Sequence, residues 1–141
     1  MTVAWPGWCS LAIPEGWVHE DRSDIVSIFR EDDGVGALQL SFARRTPPEP
    51  PTPDAARTIA QSYAAQRGWR LRDEAIGLTT VDGSPCAAFD HVEVNGENTY
   101  WQVWHIRDGT RLVFVTYVCE PEEAGVEQSE RNAIVASLRW I

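Results

Sequence analysis

The segment Arg111–Cys119 constrains the fold more than any other stretch, because an extended strand here would be apolar on both faces. Alternate side chains of a strand point to opposite sides of its sheet. Both sides are apolar in this segment: Leu112, Phe114 and Val118 on one, and Val113, Val115 and Tyr117 on the other. A strand of this kind has to be covered on both faces. We therefore predict a central sheet strand with helices or loops packed against each side.

Dipeptides of Asp or Asn followed by Gly divide the second half of the chain into a meander of antiparallel strands. They are Asp82-Gly83, Asn95-Gly96 and Asp108-Gly109. Each is typical of a two-residue hairpin loop, because both central residues of such a loop need positive φ. The predicted strands of the meander are Leu71–Val81, Cys86–Val94, Thr99–Arg107 and Arg111–Cys119.

Three more strands are predicted in the first part of the chain, at Cys9–Ile13, Ile25–Arg30 and Ala37–Ala43. In the last of these, the large apolar residues alternate with Gln39 and Ser41, which indicates one buried face. The polar stretch His19–Asp21 is predicted to be a turn.

Two helices are predicted, one in the middle of the chain and one at its end. The segment Thr46–Pro53 has five prolines in eight positions and is expected to be a stiff, extended connector. A helix follows with Asp54 as its N-cap, and Gly68 ends it, so that Trp69 can fold back onto the last turn. Its buried stripe is Ala56, Ile59, Ala60, Tyr63 and Ala64. The final helix opens at Pro121, and its buried stripe is Ala133, Ile134, Leu138 and Ile141.

These elements predict a single α+β domain over residues 1–141. It would contain a central antiparallel sheet of about six to seven strands flanked by two helices, in the order βββ-α-ββββ-α. A hydrophobic fraction of 43% is enough to build its core.

The order and several short motifs resemble the PsbP-like superfamily. Ile13-Pro14-Glu15-Gly16-Trp17 is similar to the family's entry after its first strand, Gly36–Phe42 to its third strand, and Val81–Ala88 to its Asp-Gly segment. Ile134–Trp140 is similar to its closing helix. The superfamily includes the extrinsic P protein of photosystem II, a eukaryotic Ran-binding protein, DcrB-type lipoproteins and EagR-type adaptors of type VI secretion. The resemblance implies docking, scaffolding or chaperoning, and the EagR-type adaptors, which shelter apolar segments of effectors, are the most similar group.

The net charge and the cysteines limit the classes of partner that the chain can bind and indicate its cellular compartment. The formal net charge is −9, and every basic residue is arginine. Such a chain repels phosphate backbones and anionic membranes, so we expect neither nucleic acid nor membrane insertion. Cys9, Cys86 and Cys119 show no metal or disulfide spacing and are expected to be core thiols. With no apolar export signal or membrane segment in view, the expected location is the cytoplasm.

No motif indicates an active site, a metal site or a cofactor. The chain has no Gly-rich phosphate loop and no nucleophile elbow. His91 and Glu93 share one face of a predicted strand and would at most chelate weakly. Pairing of Cys86 with His91, or of Cys119 with His105, stays open because such partners meet in space rather than in sequence. We therefore predict that the protein is not an enzyme, and we expect no metal and no cofactor.

Tryptophan is unusually frequent, with seven in 141 residues. Tyr100 and Trp104 are predicted to share one strand face and Trp101 the opposite one, so at least one of these faces could be incompletely covered. Trp8 lies near the terminus, where chains are often loosely held. Aromatic side chains with a polar atom are typical interface anchors. The predicted partner-binding residues are Trp8, Tyr100, Trp101 and Trp104.

Three functional hypotheses follow. The first is a non-enzymatic, protein-binding adaptor or chaperone of the bacterial cytoplasm, linked to type VI secretion effectors and able to self-associate as a homodimer. The second is an acidic immunity-type inhibitor of a toxin, which requires the acidic residues to cluster on one surface. The third is an enzyme with a Cys–His or His–carboxylate pair, which requires those side chains within hydrogen-bonding distance in a cleft.

Overall fold

The computed structural model describes residues 1–141. It contains ten strands: β1 (Thr2–Trp5), β2 (Cys9–Ala12), β3 (Trp17–Arg22), β4 (Ile25–Arg30), β5 (Gly36–Arg44), β6 (Gly77–Val81), β7 (Ser84–Asn95), β8 (Glu97–Arg107), β9 (Arg111–Cys119) and β10 (Arg139–Trp140). The α-helices are α1 (Pro53–Gln66) and α2 (Gln128–Ala136), and Asp73–Ala75 and Pro121–Glu123 form 3₁₀ turns. No helix is both long and apolar enough to span a membrane.

Seven strands form one antiparallel sheet in the order β3-β4-β5-β9-β8-β7-β6. The α+β class, the size of the sheet and the two helices are as predicted. Within this sheet and its helices the element order is also the predicted βββ-α-ββββ-α. β9 lies between β5 and β8, where its two apolar faces require it to be.

The strands that precede α1 differ from the predicted set. Cys9–Ala12 does not join the large sheet, because it pairs with β1 and β10 in a separate three-stranded sheet. Its place in the large sheet is taken by β3, so the predicted turn at His19–Asp21 is wrong. β3 is polar because it is an edge strand, where charged side chains are tolerated and discourage pairing with other chains.

A hydrophobic core lies on each face of the large sheet. The larger core is enclosed by the small sheet and α2, and includes Ile28, Leu40, Val115 and Leu138. The smaller core lies beneath α1, where Ala56, Ala60 and Ala64 pack against Ala87, Phe89 and Val103. One face of β9 lies in the larger core, and on the other Phe114 packs against Tyr63 of α1 while Val118 lies beyond the helix, so the predicted cover on both faces is confirmed in part.

Helix α1 begins two residues earlier than predicted. Its N-cap is Thr52, whose hydroxyl accepts a hydrogen bond from the Ala55 amide at 3.1 Å, and Pro53 occupies the first turn. Proline fits there because its missing N–H would be unpaired in any case. Asp54, the predicted cap, lies inside the first turn. Gly68 ends the helix with φ of +76°, and Trp69 folds back through an amide bond to the Ala64 carbonyl, as expected.

The end of the chain is less helical than predicted. Pro121 opens a 3₁₀ turn rather than a helix, and α2 ends at Ala136 before the two-residue strand β10. Ile134 and Leu138 are buried as expected, but Ala133 and Ile141 are exposed and Val135 is buried instead. Ile141 is exposed because the residues after Ser137 leave helical geometry to pair with β2, whereas Ala133 lies within α2 on its exposed side.

Only part of the turn prediction is confirmed. Asp82 and Gly83 form a two-residue loop with φ of +48° and +76°. Asp108-Gly109 is a longer loop without positive φ, because the Asp108 carboxylate accepts bonds from the Thr110 and Arg111 amides. The Asp108 side chain thus stabilises a turn in which Gly109 does not need a positive φ.

Candidate protein-binding face

Helix α1 packs mainly over β6, β7 and β8 and reaches β9 through Tyr63 and Phe114, so that β3 and β4 lie beyond the helix on that sheet face. Val18, Phe29 and Ala37 point to this side, and none of them belongs to either hydrophobic core. We call this surface the open face. It consists of the side chains of Val18, Glu20, Ile25, Ser27, Phe29, Ala37, Gln39 and Val118.

The strand register places the apolar side chains of the open face in one continuous row. Val18 pairs with Phe29, Phe29 with Ala37, and Ala37 with Val118. Val118 then pairs with Trp101 on β8. Directly opposed side chains lie about 5 Å apart on one face of a sheet. All five are half-buried, so this apolar row crosses five strands within reach of solvent.

A polar row runs beside the apolar row. Glu20 pairs with Ser27, Ser27 with Gln39, and Gln39 with Thr116. Glu20 and Gln39 are exposed. An apolar strip bordered by hydrogen-bonding groups is typical of a protein interface, in which a dry centre is surrounded by a polar rim.

Trp101 ends the apolar row in a cluster of aromatic rings beside α1. Its ring centroid lies 5.3 Å from that of Trp69, and the Arg67 guanidinium carbon lies 4.5 Å above it. Arg67 also lies over Tyr63 and Trp69. The Trp101 indole N–H is buried and has no hydrogen-bond partner. Arg67, which is exposed, therefore places a cation at the border between α1 and the open face.

The four predicted partner-binding residues do not form one surface. Tyr100 and Trp104 point into the larger core, and only 9% and 6% of them is exposed. The Tyr100 hydroxyl donates to the Asp90 carboxylate at 3.1 Å. Trp101 points to the opposite side, as predicted from its position on the strand. Of the four, only Trp8 and Trp101 keep part of their surface in contact with solvent, and these two lie on different faces of the large sheet.

Trp8 borders a cleft of about 470 Å³ between the small sheet and the β3–β4 turn. It stacks on Phe42 with centroids 5.2 Å apart, and the Arg44 guanidinium lies 4.5 Å above it. Trp5 lies deeper in the same cleft and donates to the Asp21 carboxylate at 3.4 Å. Trp8 is thus held in place by stacking and is half-buried.

Sequence reasoning missed Val18 and Phe29, which are central to the open face. Val18 was hidden because β3 has the polarity of a turn. Phe29 carried a usable signal, since Ile25, Ser27 and Phe29 alternate with the buried residues Val26 and Ile28.

The structure separates the proposed cysteine–histidine pairs. Cys86 and Cys119 point into the larger core, while His91 and His105 point to the α1 side of the sheet. Burial raises the pKa of Cys86 to about 12 and that of Cys9 to about 11. Neither pair can transfer a proton, and a thiol with so high a pKa is a poor nucleophile at neutral pH.

We expect the three thiols to resist alkylation in the native protein. At pH 8, a thiol with the pKa of Cys9, about 11, is ionised to about 0.1%, and Cys119, whose pKa burial also raises, is shielded from solvent. Iodoacetamide and mass spectrometry should therefore give no modification of the folded chain in a period that labels all three cysteines in denaturant. Rapid labelling of one cysteine in the folded chain would contradict the assignment of these residues to the core.

The remaining polar clusters have structural partners. His91 stacks on Trp69 with centroids 4.6 Å apart, and Glu93 accepts a bond from the Trp69 indole at 3.2 Å. His19 lies 3.1 Å from Asp21 on the side of β3 that faces the small sheet, where its ring packs edge-on against Trp5. No three His, Cys, Asp or Glu side chains come together in a geometry that could hold a metal ion.

Charge is distributed unevenly between the two ends of the sheet. Arg44, Arg45, Arg107 and Arg111 gather where β5 and β8 end and β9 begins. At the other end Glu120 lies near Glu122, Glu123 and Glu97, and repulsion from Glu122 and then Glu123 raises its pKa. The protein therefore has a basic end and an acidic end despite its overall charge of −9.

Comparison by sequence and by structure gives different results. No protein-family model matches the chain, and no curated protein matches it significantly. A solved structure from Bacteroides thetaiotaomicron is similar with a TM-score of 0.72 and 17% identity over 99% of this chain, which spans 48% of that longer protein.

Two further structures cover nearly the whole length of both chains. Cyanobacterial PsbP (CyanoP) of Synechocystis has a TM-score of 0.68 and 9% identity over 100% of this chain and 92% of its own. The Ran-binding protein Mog1p of Saccharomyces cerevisiae has a TM-score of 0.59 and 11% identity over 99% and 94%. Identities this low show the fold alone, and the fold expected from the sequence motifs is confirmed. The chain has a PsbP-like α+β fold.

Proposed function

We propose that the chain is a non-enzymatic protein-binding module that contacts its partner through the open face. The observation that carries this proposal is the apolar row, which crosses β3, β4, β5 and β9 beyond the edge of α1 and ends at Trp101 on β8. A continuous apolar strip of this kind is unfavourable in water and is typical of a surface that another molecule covers.

The fold supports a binding role. Mog1p, which shares the fold, is a Ran-binding protein. The separation of the cysteines from the histidines removes the Cys–His pairs of the enzyme hypothesis, and the His–carboxylate alternative has one close pair, His19 with Asp21 at 3.1 Å. A function that needs a shaped surface rather than a reactive group fits both observations.

The finer proposal is an adaptor or chaperone of the bacterial cytoplasm that shelters an apolar segment of a client protein, as the EagR-type adaptors do. Five adjacent strands span roughly 19 Å, which is the length of about three to four helical turns. Trp101 and Arg67 would anchor one end of such a segment, since aromatic and arginine side chains dominate interface energetics. Effectors of type VI secretion and a second copy of this chain are the clients proposed.

The acidic end supports a second candidate, an immunity-type inhibitor of a basic toxin. Glu97, Glu120, Glu122 and Glu123 form the clustered negative surface that this hypothesis requires. Charge complementarity accelerates such associations and makes them sensitive to salt. The two candidates differ in which end of the sheet a partner touches.

Replacing Phe29 and Val118 together with threonine is expected to weaken partner binding by about 30-fold or more. Truncating central interface residues typically costs about 2 kcal/mol. Threonine has a high propensity for β-strands, so the double variant is expected to keep the fold. Circular dichroism of the purified protein checks this. The partner is captured from the host cell with tagged wild-type protein, and its affinity for each variant is then measured by calorimetry.

The matched control is Val94→Thr, which removes an apolar side chain that is 75% exposed at the β7–β8 hairpin. It should bind like the wild type. Equal affinities for the wild type and the double variant would exclude the open face. A strong loss instead in a Glu122→Gln, Glu123→Gln variant would favour the inhibitor.

A further inference from the structure

A cleft of about 580 Å³ lies between α1 and the ends of β5, β8 and β9. Ile59 and Tyr63 of α1 form one wall, and Leu112 and Phe114 of β9 form the other. A smaller cavity of about 130 Å³ adjoins it and shares Arg45 and Arg107 with it. The volume lies within the range of small-molecule sites in proteins.

The most unusual lining residue is Arg107, whose side chain is 5% exposed. A guanidinium removed from water needs an anion beside it. Its ion pair is with Glu49, whose carboxylate lies 3.1 Å from Nη2 and also 2.6 Å from Arg45. Glu49 extends from the proline-rich connector, and 44% of its side chain is exposed. A buried cation is thus neutralised by a carboxylate from a surface loop.

A second buried basic side chain, that of His105, lines the same cleft. His105 is 2% exposed, and its Nδ1 atom has no hydrogen-bond partner. Its ring stacks on Phe114 with centroids 4.8 Å apart, and Tyr63 lies 5.9 Å away. Burial lowers the pKa of His105 to about 4, so the ring is neutral at pH 7 and leaves the charge of the site to the arginines.

We propose that this cleft binds an organic carboxylate with an apolar ring or branched chain. The carboxylate takes the place of the Glu49 side chain between Arg45 and Arg107, and the apolar body lies against Ile59, Leu112 and Phe114. Paired arginines favour a planar carboxylate, because each guanidinium can donate two parallel hydrogen bonds. Glu49 shows that the two arginines already hold a carboxylate in this position.

This site is separate from the protein-binding role of the open face and does not depend on it. Glu49 acts as an internal competitor, since a ligand binds only the fraction of molecules in which the loop carboxylate has left the arginines. Removing the charge of Glu49 should therefore strengthen ligand binding, whereas removing the charge of either arginine should weaken it. A purely structural ion pair predicts no binding in any variant.

The test measures binding of 4-phenylbutyrate and its neutral amide by calorimetry and by shifts in ¹H–¹⁵N spectra. We expect the acid to bind the wild type with a Kd of about 1 mM or tighter and the amide to bind at least tenfold more weakly. Glu49→Gln should bind the acid about tenfold more tightly. Arg107→Gln should abolish binding. Arg45→Gln should weaken binding, and because the Arg45 side chain is 53% exposed, this variant tests the proposal even if Arg107→Gln fails to fold.

Arg22→Gln serves as the matched control, because its side chain is 80% exposed and lines neither cavity. It should leave binding unchanged. An acetylated Gly-Phe dipeptide with a free C-terminus distinguishes the end of a polypeptide from a free acid as the natural source of the carboxylate. Absence of acid binding in both the wild type and Glu49→Gln, or equal binding to Arg45→Gln and the wild type, would overturn the proposal.

Discussion

Replacing Gly36 with alanine is expected to destabilise the protein by about 3 kcal/mol, because overpacking in a rigid core forces neighbours out of place. A Cβ atom at this position would lie 2.5 Å from the Val118 carbonyl oxygen and 2.6 Å from Cζ of Tyr117. Neither neighbour can move away from the added methyl group without losing contacts of its own. Val118 belongs to the central strand, and the Tyr117 hydroxyl donates to the buried Glu127 carboxylate at 2.7 Å.

Urea denaturation followed by tryptophan fluorescence measures this effect. Gly77→Ala is the matched control, since Gly77 is also in a strand and its Cβ would meet nothing closer than 3.7 Å. The control should differ from the wild type by about 0.5 kcal/mol or less. If Gly36→Ala were as stable as Gly77→Ala, the close approach of Tyr117 to β5 would be wrong.

Replacing Arg131 with methionine is expected to cost about 3 kcal/mol, because it removes one of two buried, opposite charges that flank Tyr117 without a direct ion pair between them. Arg131 has no exposed surface and Glu127 only 1%. Arg131 donates to Gln102 at 2.6 Å, and its guanidinium carbon lies 4.3 Å from the Tyr117 ring centre. Without this cation, the Glu127 carboxylate would stay buried beside Tyr117, with the partly exposed Arg30 as its remaining cationic neighbour.

A double variant, Arg131→Met with Glu127→Gln, separates charge compensation from packing. If the two charges stabilise each other, the double variant should be more stable than the sum of the single losses predicts. Chemical denaturation of all four proteins gives this coupling energy. Strict additivity would show that Arg131 acts through packing alone.

The elements that could be predicted from the sequence are those in which the element's own residues determine its structure and its position in the fold. β9 could be placed at the centre of the sheet because both of its faces are apolar. α1 could be placed because Gly68 and the alanine stripe mark its end and its buried side. β3 could not, since an edge strand is stabilised by a neighbour, β4, while its own residues are polar.

The candidate site was predictable only in part for a related reason. The opposite orientation of Trp101 and Trp104 follows from strand geometry and is confirmed. Which of them is covered depends on where α1 and the small sheet pack, which is a long-range property that neither residue encodes. The open face exists because α1 lies over β6, β7 and β8 rather than over β4 and β5.

The most direct test of the central claim is site-specific photo-crosslinking to the captured partner. A photoreactive phenylalanine analogue is placed in turn at position 29 on the open face, at position 94 on the hairpin, and at position 122 on the acidic end. The account predicts a crosslinked partner from position 29 and none from position 94. Crosslinks from position 122 alone, with none from position 29, would contradict binding through the open face.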